Sequence, residues 1–349
     1  MKKAQFGIVG CGGAALSVTE ALAESSSAQL GKVYDLDLNL ARDIGARYQV
    51  PFAENLDELL ADPAIDVVYI AAPHDQLYPI ARATLMANKH ALVEKPMALT
   101  LPNIDELIEL SANNGSKLGV FYELRHTTPY QQARDLIQSG ALGKVVGVRI
   151  QTLIDKPLAY WQQGYTGRSS NLWRAQKVRA GGGVVLMNTS HQLDAIRYIT
   201  GLEVVAVTAQ IATLTAPVEV EDMASATLVF DNGAIGSLLA SAHAPGAMPG
   251  CDEHFDIIGT DGQMKVPDPY GDGSLQIYLR LGRSDIPKER WYTLPTKPTS
   301  VFKEAIEAFV LAVQQNEPVP TSGHDARQAL AIVLAIYQAA QENRTVTIE

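Results

Sequence analysis

The sequence predicts two domains: an α/β domain built on a doubly wound parallel sheet, then an α+β domain with a large, mostly antiparallel open sheet. Three observations support this prediction. The 349 residues suit two domains better than one. In the first third of the chain, short apolar runs alternate with helical segments. Later, the apolar runs follow one another and are separated by turns such as Asp231-Asn232-Gly233.

The first predicted domain covers residues 1–122. Its strands are largely apolar, as expected when a parallel sheet is covered on both faces. The predicted strands are 6–9, 30–34, 67–71, 90–93 and 118–122, and the predicted helices are 14–23, 38–48, 56–60, 78–87 and 102–112. This alternation indicates βαβ units and therefore parallel strands.

The second predicted domain covers residues 123–323. Its predicted strands are 145–153, 204–213, 224–230, 234–241, 255–259 and 276–281, and a helix over 181–199 begins at three glycines. Helices 301–314 and 324–341 close the chain, and we expect the last one to pack back on the first domain.

Composition limits the class of protein. The hydrophobic and charged fractions, 47% and 19%, are those of a globular protein, and the net charge of −10 argues against nucleic acid as a partner. The two cysteines suit a reducing cytoplasm. No apolar run approaches the roughly 20 residues that span a bilayer, and no signal peptide is expected after Lys2-Lys3. No Cys/His spacing predicts a metal site.

A glycine turn, Gly10-X-Gly12-X-X-Ala15, follows the first strand and opens the first helix. Gly10 allows a tight turn, Gly12 lets the backbone approach a pyrophosphate, and Ala15 replaces a third glycine at the helix–strand contact. The N–H groups of the helix N-terminus then face the phosphates. An ordinary glycine turn is the alternative. The context predicts a nucleotide-binding Rossmann domain.

Asp35 stands at the end of the second strand, 20 residues after Ala15. A carboxylate there accepts the ribose hydroxyls and repels a 2′-phosphate, which favours NAD over NADP. Asp37 is a competing acid further past the strand, and Asp35 as a solvated turn residue is the other alternative.

Two further segments carry groups that can move protons. Lys95, in Glu94-Lys95-Pro96, follows the fourth strand at the ligand-binding edge of the sheet. His191 lies between Asn188 and Asp194 at helical spacing, and its pKa near neutrality suits acid/base work. The alternatives are a surface lysine and a histidine satisfied inside a core. Asp194 either orients a neighbour or belongs to a structural network.

Several motifs occur together. They are the glycine turn, Ile70-Ala71-Ala72-Pro73, Glu94-Lys95-Pro96, Gly181-Gly182-Gly183 leading to His191 and Asp194, Phe230-Asp231-Asn232-Gly233-Ala234, and Gly259-Thr260-Asp261-Gly262. In this combination the chain resembles the Gfo/Idh/MocA family of sugar and inositol dehydrogenases nearly end to end. The resemblance implies an NAD-binding first domain and a second domain for substrate binding and oligomerisation. A homodimer or homotetramer is therefore expected.

The resemblance also implies roles for single residues: Lys95 as the catalytic lysine, Glu94 near the nicotinamide, and a cis Lys95–Pro96 bond. The expected cofactor contacts are Gly10, Cys11, Gly12, Gly13, Ala14, Asp35, Ala72, Pro73, His74, Glu94, Lys95 and Arg125. The expected substrate contacts are Lys95, Asp155, Trp161, Trp173, Arg174, Asn188 and His191. Arg125 could meet cofactor or substrate.

The loop that contains Trp161, Tyr165, Arg168, Trp173 and Arg174 is rich in aromatic and basic residues. Aromatic rings stack on sugar C–H faces, and arginines bind hydroxyls or carboxylates, so this loop is expected to influence substrate choice. An oligomer contact or a loop packed on the sheet is the alternative.

The chain departs from the family pattern at two places. Many relatives carry an aspartate four residues before the histidine, where this chain has Met187, followed by Asn188. An amide binds a hydroxyl but cannot act as a base, so Lys95 and His191 carry more of the proton transfer. Relatives also often have Pro-Asn where this chain has Pro73-His74; His74 either contacts the nicotinamide ribose or is a loop histidine.

We therefore expect an NAD-dependent oxidoreductase that moves a hydride between nicotinamide and a secondary alcohol or ketone of a sugar, polyol or sugar derivative. Lys95, helped by His191, takes the hydroxyl proton. Two alternatives keep the fold. One is a redox-neutral sugar-processing enzyme with retained NAD, and the other is a non-enzymatic ligand sensor.

Overall fold

The structure is a computed structural model that describes residues 2–169, 171–247, 251–271 and 273–348. Contacts within the chain divide it into two compact units. The first unit comprises Met1–Glu123, Pro157–Gly181 and Ser300–Leu330. The second comprises Leu124–Lys156, Gly182–Thr299 and Ala331–Glu349.

The strands of the described residues form two sheets. In chain order they are β1 (Ala4–Val9), β2 (Ala28–Tyr34), β3 (Val67–Ile70), β4 (His90–Val93), β5 (Leu118–Val120), β6 (Val145–Ile154), β7 (Val204–Ala212), β8 (Met223–Phe230), β9 (Ile235–Ser241), β10 (Cys251–Gly259), β11 (Gly262–Val266), β12 (Gln276–Leu279), β13 (Trp291–Thr293) and β14 (Val346–Thr347).

The helices lie mostly where the apolar pattern predicts them. In chain order they are α1 (Gly13–Glu24), α2 (Leu38–Tyr48), α3 (Leu56–Ala61), α4 (His74–Met86), α5 (Leu101–Asn114), α6 (Thr128–Gln138), α7 (Leu158–Gln163), α8 (Lys177–Ala180), α9 (Ser190–Thr200), α10 (Val301–Gln315) and α11 (Gly323–Glu342). None of the helices in the described ranges is long and apolar enough to cross a membrane.

The first unit contains a five-stranded sheet in the order β2-β1-β3-β4-β5, with every neighbouring pair parallel. This confirms the predicted doubly wound sheet. The strand order reverses between β1 and β3, and ligands bind at the carboxyl edge of such a sheet at that switch point. The four residues of β3 are all buried, which explains their wholly apolar sequence.

Two segments predicted for the second domain belong to the first unit instead. They are residues 157–181 and 300–323. Residues 300–323 belong to the first unit because helix α10 packs there. Its residues Ile306, Phe309 and Val310 are buried in the same core as Phe6 and Ile8 of β1. Helix α11 divides after Leu330, so only its beginning joins the first unit, whereas the whole helix was predicted to pack there.

Helix α4 begins one turn earlier than predicted, at His74 rather than at Tyr78. Pro73 directly precedes it with a φ of −50°, and a proline is compatible with a helix start because no N–H is needed there. His74 is therefore the first residue of a helix and not a loop residue.

The second unit contains a nine-stranded sheet in the order β13-β12-β11-β10-β6-β9-β8-β7-β14. Among the neighbouring strand pairs of the described residues, only β6–β9 is parallel, which confirms the mostly antiparallel sheet. Strands β11, β13 and β14 and helix α6 were not predicted. The three strands are short, with five, three and two residues. Helix α6 was missed although its buried residues Tyr130, Ala133 and Leu136 recur at helical spacing.

The helix predicted over 181–199 is interrupted. Residues Val185–Thr189 form a π-helical turn, and α9 follows. The beginning of this segment is held by Glu221, whose carboxylate accepts hydrogen bonds from Gly183 N at 2.7 Å, Val185 N at 3.0 Å and the Tyr337 hydroxyl at 2.9 Å. Burial raises the pKa of Glu221, and these hydrogen bonds oppose the rise.

Two glycines make this arrangement possible. A Cβ on Gly183 would lie 1.8 Å from the Glu221 carbonyl oxygen, and a Cβ on Gly182 would lie 1.9 Å from the Tyr337 hydroxyl. Any side chain at either position would push the helix start away from its cap. The glycine run therefore serves close packing of the helix start.

Candidate functional site

Three loops lie side by side at the carboxyl edge of the first sheet, because β1, β3 and β4 are parallel neighbours. The loops after β1 and β3 approach each other closely. Gly10 has a φ of +93°, and a Cβ there would lie 2.4 Å from the Ala71 carbonyl oxygen. Only glycine meets both conditions, so the tight turn predicted at Gly10 is present.

The beginning of helix α1 fits the pyrophosphate of a dinucleotide. Gly12 is the N-cap, and as a glycine it has no side chain with which to cap the helix. A Cβ on Gly12 would meet no atom within 4 Å, so the backbone there borders open space. The first N–H groups of a helix have no partner inside the helix, and they attract anions.

Asp35 holds the glycine turn. Its Oδ2 accepts a hydrogen bond from Cys11 N at 2.6 Å, and its Oδ1 accepts one from Asp37 N at 2.8 Å. The competing acid Asp37 is used differently, because its side chain caps helix α2 by accepting from Asn39 N. Burial, followed by the charge of Asp35, raises the pKa of the Cys11 thiol to about 12, so the thiol stays protonated.

Tyr69 fixes Glu94 in the third loop. The Tyr69 hydroxyl donates to Glu94 Oε1 at 2.6 Å, and Lys95 N donates to Oε2 at 3.2 Å. Burial raises the pKa of Glu94, while the charge of Lys95 and the Tyr69 hydrogen bond oppose the rise. Lys95 itself is half-buried, and the Lys95–Pro96 bond is cis, as the resemblance implied.

His74 joins this edge to the aromatic loop, which also lies in the first unit. Its Nδ1 lies 2.8 Å from the Ala180 carbonyl oxygen, and its ring centroid lies 4.5 Å from that of Trp173. Because a carbonyl oxygen only accepts, Nδ1 donates. The sequence did not predict this pairing of His74 with Trp173.

The aromatic loop is packed rather than extended. Trp161 and Trp173 are buried, whereas Tyr165 is exposed. The Arg174 guanidinium lies 4.4 Å from the Trp173 ring centroid and 5.5 Å from that of Tyr160. The planar guanidinium is thus supported by aromatic faces, which restricts its orientation.

In the second unit, Asn188 is held by a residue that the sequence did not single out. Lys156, 5% exposed, donates from Nζ to Asn188 Oδ1 at 2.6 Å. Because the amide oxygen faces the ammonium, the Asn188 Nδ2 donors point elsewhere. Lys156 follows Asp155 at the end of β6, where only its position at a strand end could have indicated it. Asp155 lies 3.7 Å from His243 Nδ1.

Helix α9 carries the other two polar candidates. His191 is buried on this helix. Asp194 receives both ends of the Arg125 guanidinium, with Nε at 2.8 Å and Nη2 at 2.5 Å, and that guanidinium also lies 5.1 Å from the Tyr198 ring centroid. This pairing is compatible with both roles predicted for Asp194, orienting a neighbour and belonging to a structural network. A cofactor contact by Arg125 remains a prediction.

The described ranges contain no group of three His, Cys, Asp or Glu residues that could hold a metal ion.

Comparison with known proteins relates both halves of the chain to one family. Residues 4–122 match a model described as an oxidoreductase family with an NAD-binding Rossmann fold. Residues 130–265 match the model of the GFO/IDH/MocA C-terminal domain. Together the two matches span most of the chain.

Individual relatives match over nearly the whole length. The chain is 26% identical to the 1,5-anhydro-D-fructose reductase of Ensifer adhaerens, over 93% of this chain and 90% of that protein. It is 26% identical to the myo-inositol 2-dehydrogenase of Thermotoga maritima, over 99% and 98%. A levoglucosan dehydrogenase structure with NADH and L-sorbose shares the fold, with a TM-score of 0.89, 24% identity and 100% coverage of both chains.

Gly10→Ala is expected to weaken NADH binding by about tenfold or more. The new Cβ would displace the Ala71 carbonyl, and a φ of +93° strains alanine. Titration of NADH fluorescence measures Kd. Gly115→Ala is the matched control, because Gly115 has a φ of +71° but a Cβ there meets nothing within 4 Å. Equal NADH affinity in the two variants would contradict the role of the Gly10–Ala71 contact.

Proposed function

Because the chain belongs to the Gfo/Idh/MocA oxidoreductase family and has an NAD-binding Rossmann domain, we propose that it is a cytoplasmic, NAD-dependent sugar or polyol dehydrogenase. The bond changed is the C–H of a secondary alcohol, or the carbonyl of the corresponding ketone. The relatives named above, a myo-inositol dehydrogenase and an anhydrofructose reductase, support this substrate class. A buried, protonated Cys11 thiol suits a reducing cytoplasm.

The observation that carries the proposal is the position of Lys95. It follows β4 at the ligand-binding edge of the sheet, next to a Glu94 carboxyl that Tyr69 and the Lys95 N–H hold in place. A lysine held at a ligand-binding edge can accept the hydroxyl proton as the hydride departs, and return it in the reverse direction. Bound NAD supplies the hydride acceptor.

The remaining roles follow the chemistry of each side chain. His191 is proposed as the second acid/base group. Asp155, Asn188, Trp161, Trp173 and Arg174 are proposed to bind the sugar, and Asp35 to bind the adenosine ribose and so select NAD. The proposed cofactor contacts further include Gly10, Cys11, Gly12, Gly13, Ala14, Ala72, Pro73, His74, Glu94 and Arg125.

A substrate screen combined with Lys95→Met tests the reaction. Polyols, aldoses, inositols and uronates are offered with NAD and with NADP, and the absorbance of the reduced cofactor is followed. Lys95→Met is expected to lower kcat by about a hundredfold or more while it still binds NADH, because it loses the proton acceptor. Lys117→Met, which changes a half-buried lysine of the same unit, is expected to keep wild-type activity.

The other outcomes of this screen are informative. Full activity in Lys95→Met would contradict the mechanism, and strong preference for NADP would contradict the role of Asp35. Retained cofactor without steady-state NADH would indicate redox-neutral sugar processing. Intact ligand binding in Lys95→Met, with no turnover by any protein, would indicate a sensor.

Lys156 is proposed to set the orientation of the Asn188 amide. Lys156→Met is expected to raise KM for the sugar about tenfold or more, since a charge-assisted hydrogen bond of this kind contributes about 1.5–3 kcal/mol. Asn188→Asp keeps a partner for Lys156 but loses the amide donors, so it should raise KM as well. Lys144→Met, at an exposed lysine of the same unit, is the control. Unchanged KM in Lys156→Met would contradict this role.

A second copy of this chain is the proposed partner of the exposed face of the nine-stranded sheet. Ile258, Gly147 and Ile235 form one row across β10, β6 and β9, and both isoleucines are exposed. Val205 and Leu239, on β7 and β9, are further exposed aliphatic residues of this sheet. Such a surface suits a homodimer or homotetramer.

Ile235→Asp is expected to shift the protein towards the monomer in light-scattering measurements, because a charge buried in an apolar interface must be desolvated. Val178→Asp is the matched control on α8, where Val178 is 82% exposed. A wild-type monomer at micromolar concentration, or an unchanged mass in Ile235→Asp, would contradict the interface.

A further inference from the structure

Arg168 connects the aromatic loop to the glycine turn inside the first unit. Its Nε donates to the Cys11 carbonyl oxygen at 3.0 Å, and its Nη1 pairs with Asp43 Oδ2 at 2.6 Å. Its Nη2 lies 3.5 Å from the Leu40 carbonyl oxygen. The side chain is only 18% exposed, so it is packed between the turn and helix α2.

The Cys11 residue is thus held through both of its backbone polar groups. Asp35 accepts from its N–H, and Arg168 donates to its carbonyl oxygen. Thr166 lies against the next part of the turn, because a Cβ on Gly13 would be 3.1 Å from the Thr166 Oγ1 atom. The segment from Thr166 to Arg168 therefore packs directly on the glycine turn.

This contact has a consequence for binding. A glycine-rich turn is flexible by itself, and a ligand that orders it loses part of its binding free energy. Two charged groups that fix the Cys11 peptides prepare the turn before the ligand arrives.

We propose that Arg168 is a positioning residue for the NAD pyrophosphate turn, acting through the Cys11 carbonyl and thereby slowing NAD release. Arg168 lies more than a hundred residues after Cys11 in the sequence. This role concerns cofactor retention and depends only on NAD binding. It is therefore independent of which sugar the enzyme oxidises.

Stopped-flow fluorescence with NADH tests the proposal on the full chain. NADH is mixed with the protein to obtain the association rate constant, and bound NADH is displaced by excess NAD to obtain the dissociation rate constant. Arg168→Ala is expected to raise the dissociation rate constant about tenfold, the effect of losing one charge-assisted hydrogen bond, and to leave association unchanged. Arg168→Gln, which can still donate to Cys11, should lie between Arg168→Ala and the wild type.

Two controls separate the turn contact from packing of the segment. Asp43→Ala removes the ion pair but keeps the donor to Cys11. Arg179→Ala removes a different ion pair, between α8 and Asp75, in the same unit. Both are expected to release NADH at close to the wild-type rate. Thermal unfolding without cofactor shows that each variant is folded.

Three results would overturn the proposal. The first is an unchanged dissociation rate in Arg168→Ala. The second is an equal increase in Arg168→Ala and Asp43→Ala, which would assign the effect to packing on α2. The third is an equal rise of the association and dissociation rate constants in Arg168→Ala, which would mean that the segment controls access to the site without changing NADH affinity.

Discussion

The close approach of Gly10 to the Ala71 carbonyl is the constraint on which the first unit depends. It lets the loop after β1 lie directly on the loop after β3, at the point where the strand order of the sheet reverses. The next residue, Cys11, then has its N–H beside Asp35 and its carbonyl beside Arg168. Helix α1 begins immediately afterwards, at the N-cap Gly12, which has no capping side chain. Because Gly10 has no Cβ, the whole turn from Gly10 to the start of α1 can adopt this position.

In the second unit, a buried carboxylate holds the backbone of another helix start. Glycines 182 and 183 let the backbone come close to Glu221 and Tyr337, and the Glu221 carboxylate then takes the donors at the start of the helical segment. Asn188 and His191 follow this helix start. Lys156 holds the Asn188 amide, and His191 lies on α9. In both units, glycine allows a close approach and a charged side chain fixes the backbone that results.

Much of this organisation follows from local sequence. Apolar strands, the glycine turn, Asp35 and Lys95 are all recognisable from a few neighbouring residues, and the sheet types follow from the order of elements. Lys156, Glu221 and Arg168 carry no such signal, because each acts on a partner more than thirty residues away. The π turn and the assignment of residues 157–181 to the first unit also arise from long-range packing. Asp194 pairs with Arg125 for the same reason, across 69 positions.

The hydrogen bonds of Asp35 limit which residues can replace it, in evolution or in redesign. Its two oxygens hold the N–H groups of Cys11 and Asp37, so the carboxylate is part of the backbone architecture as well as a neighbour of the dinucleotide turn. A substitution that removed its charge to admit a 2′-phosphorylated cofactor would also remove at least one of the two acceptor oxygens that hold the turn. Under the role proposed for Asp35, a change of cofactor preference therefore requires a substitution that keeps an acceptor at residue 35, or compensating changes nearby. The proposed selection of NAD and the order of the glycine turn therefore depend on the same side chain.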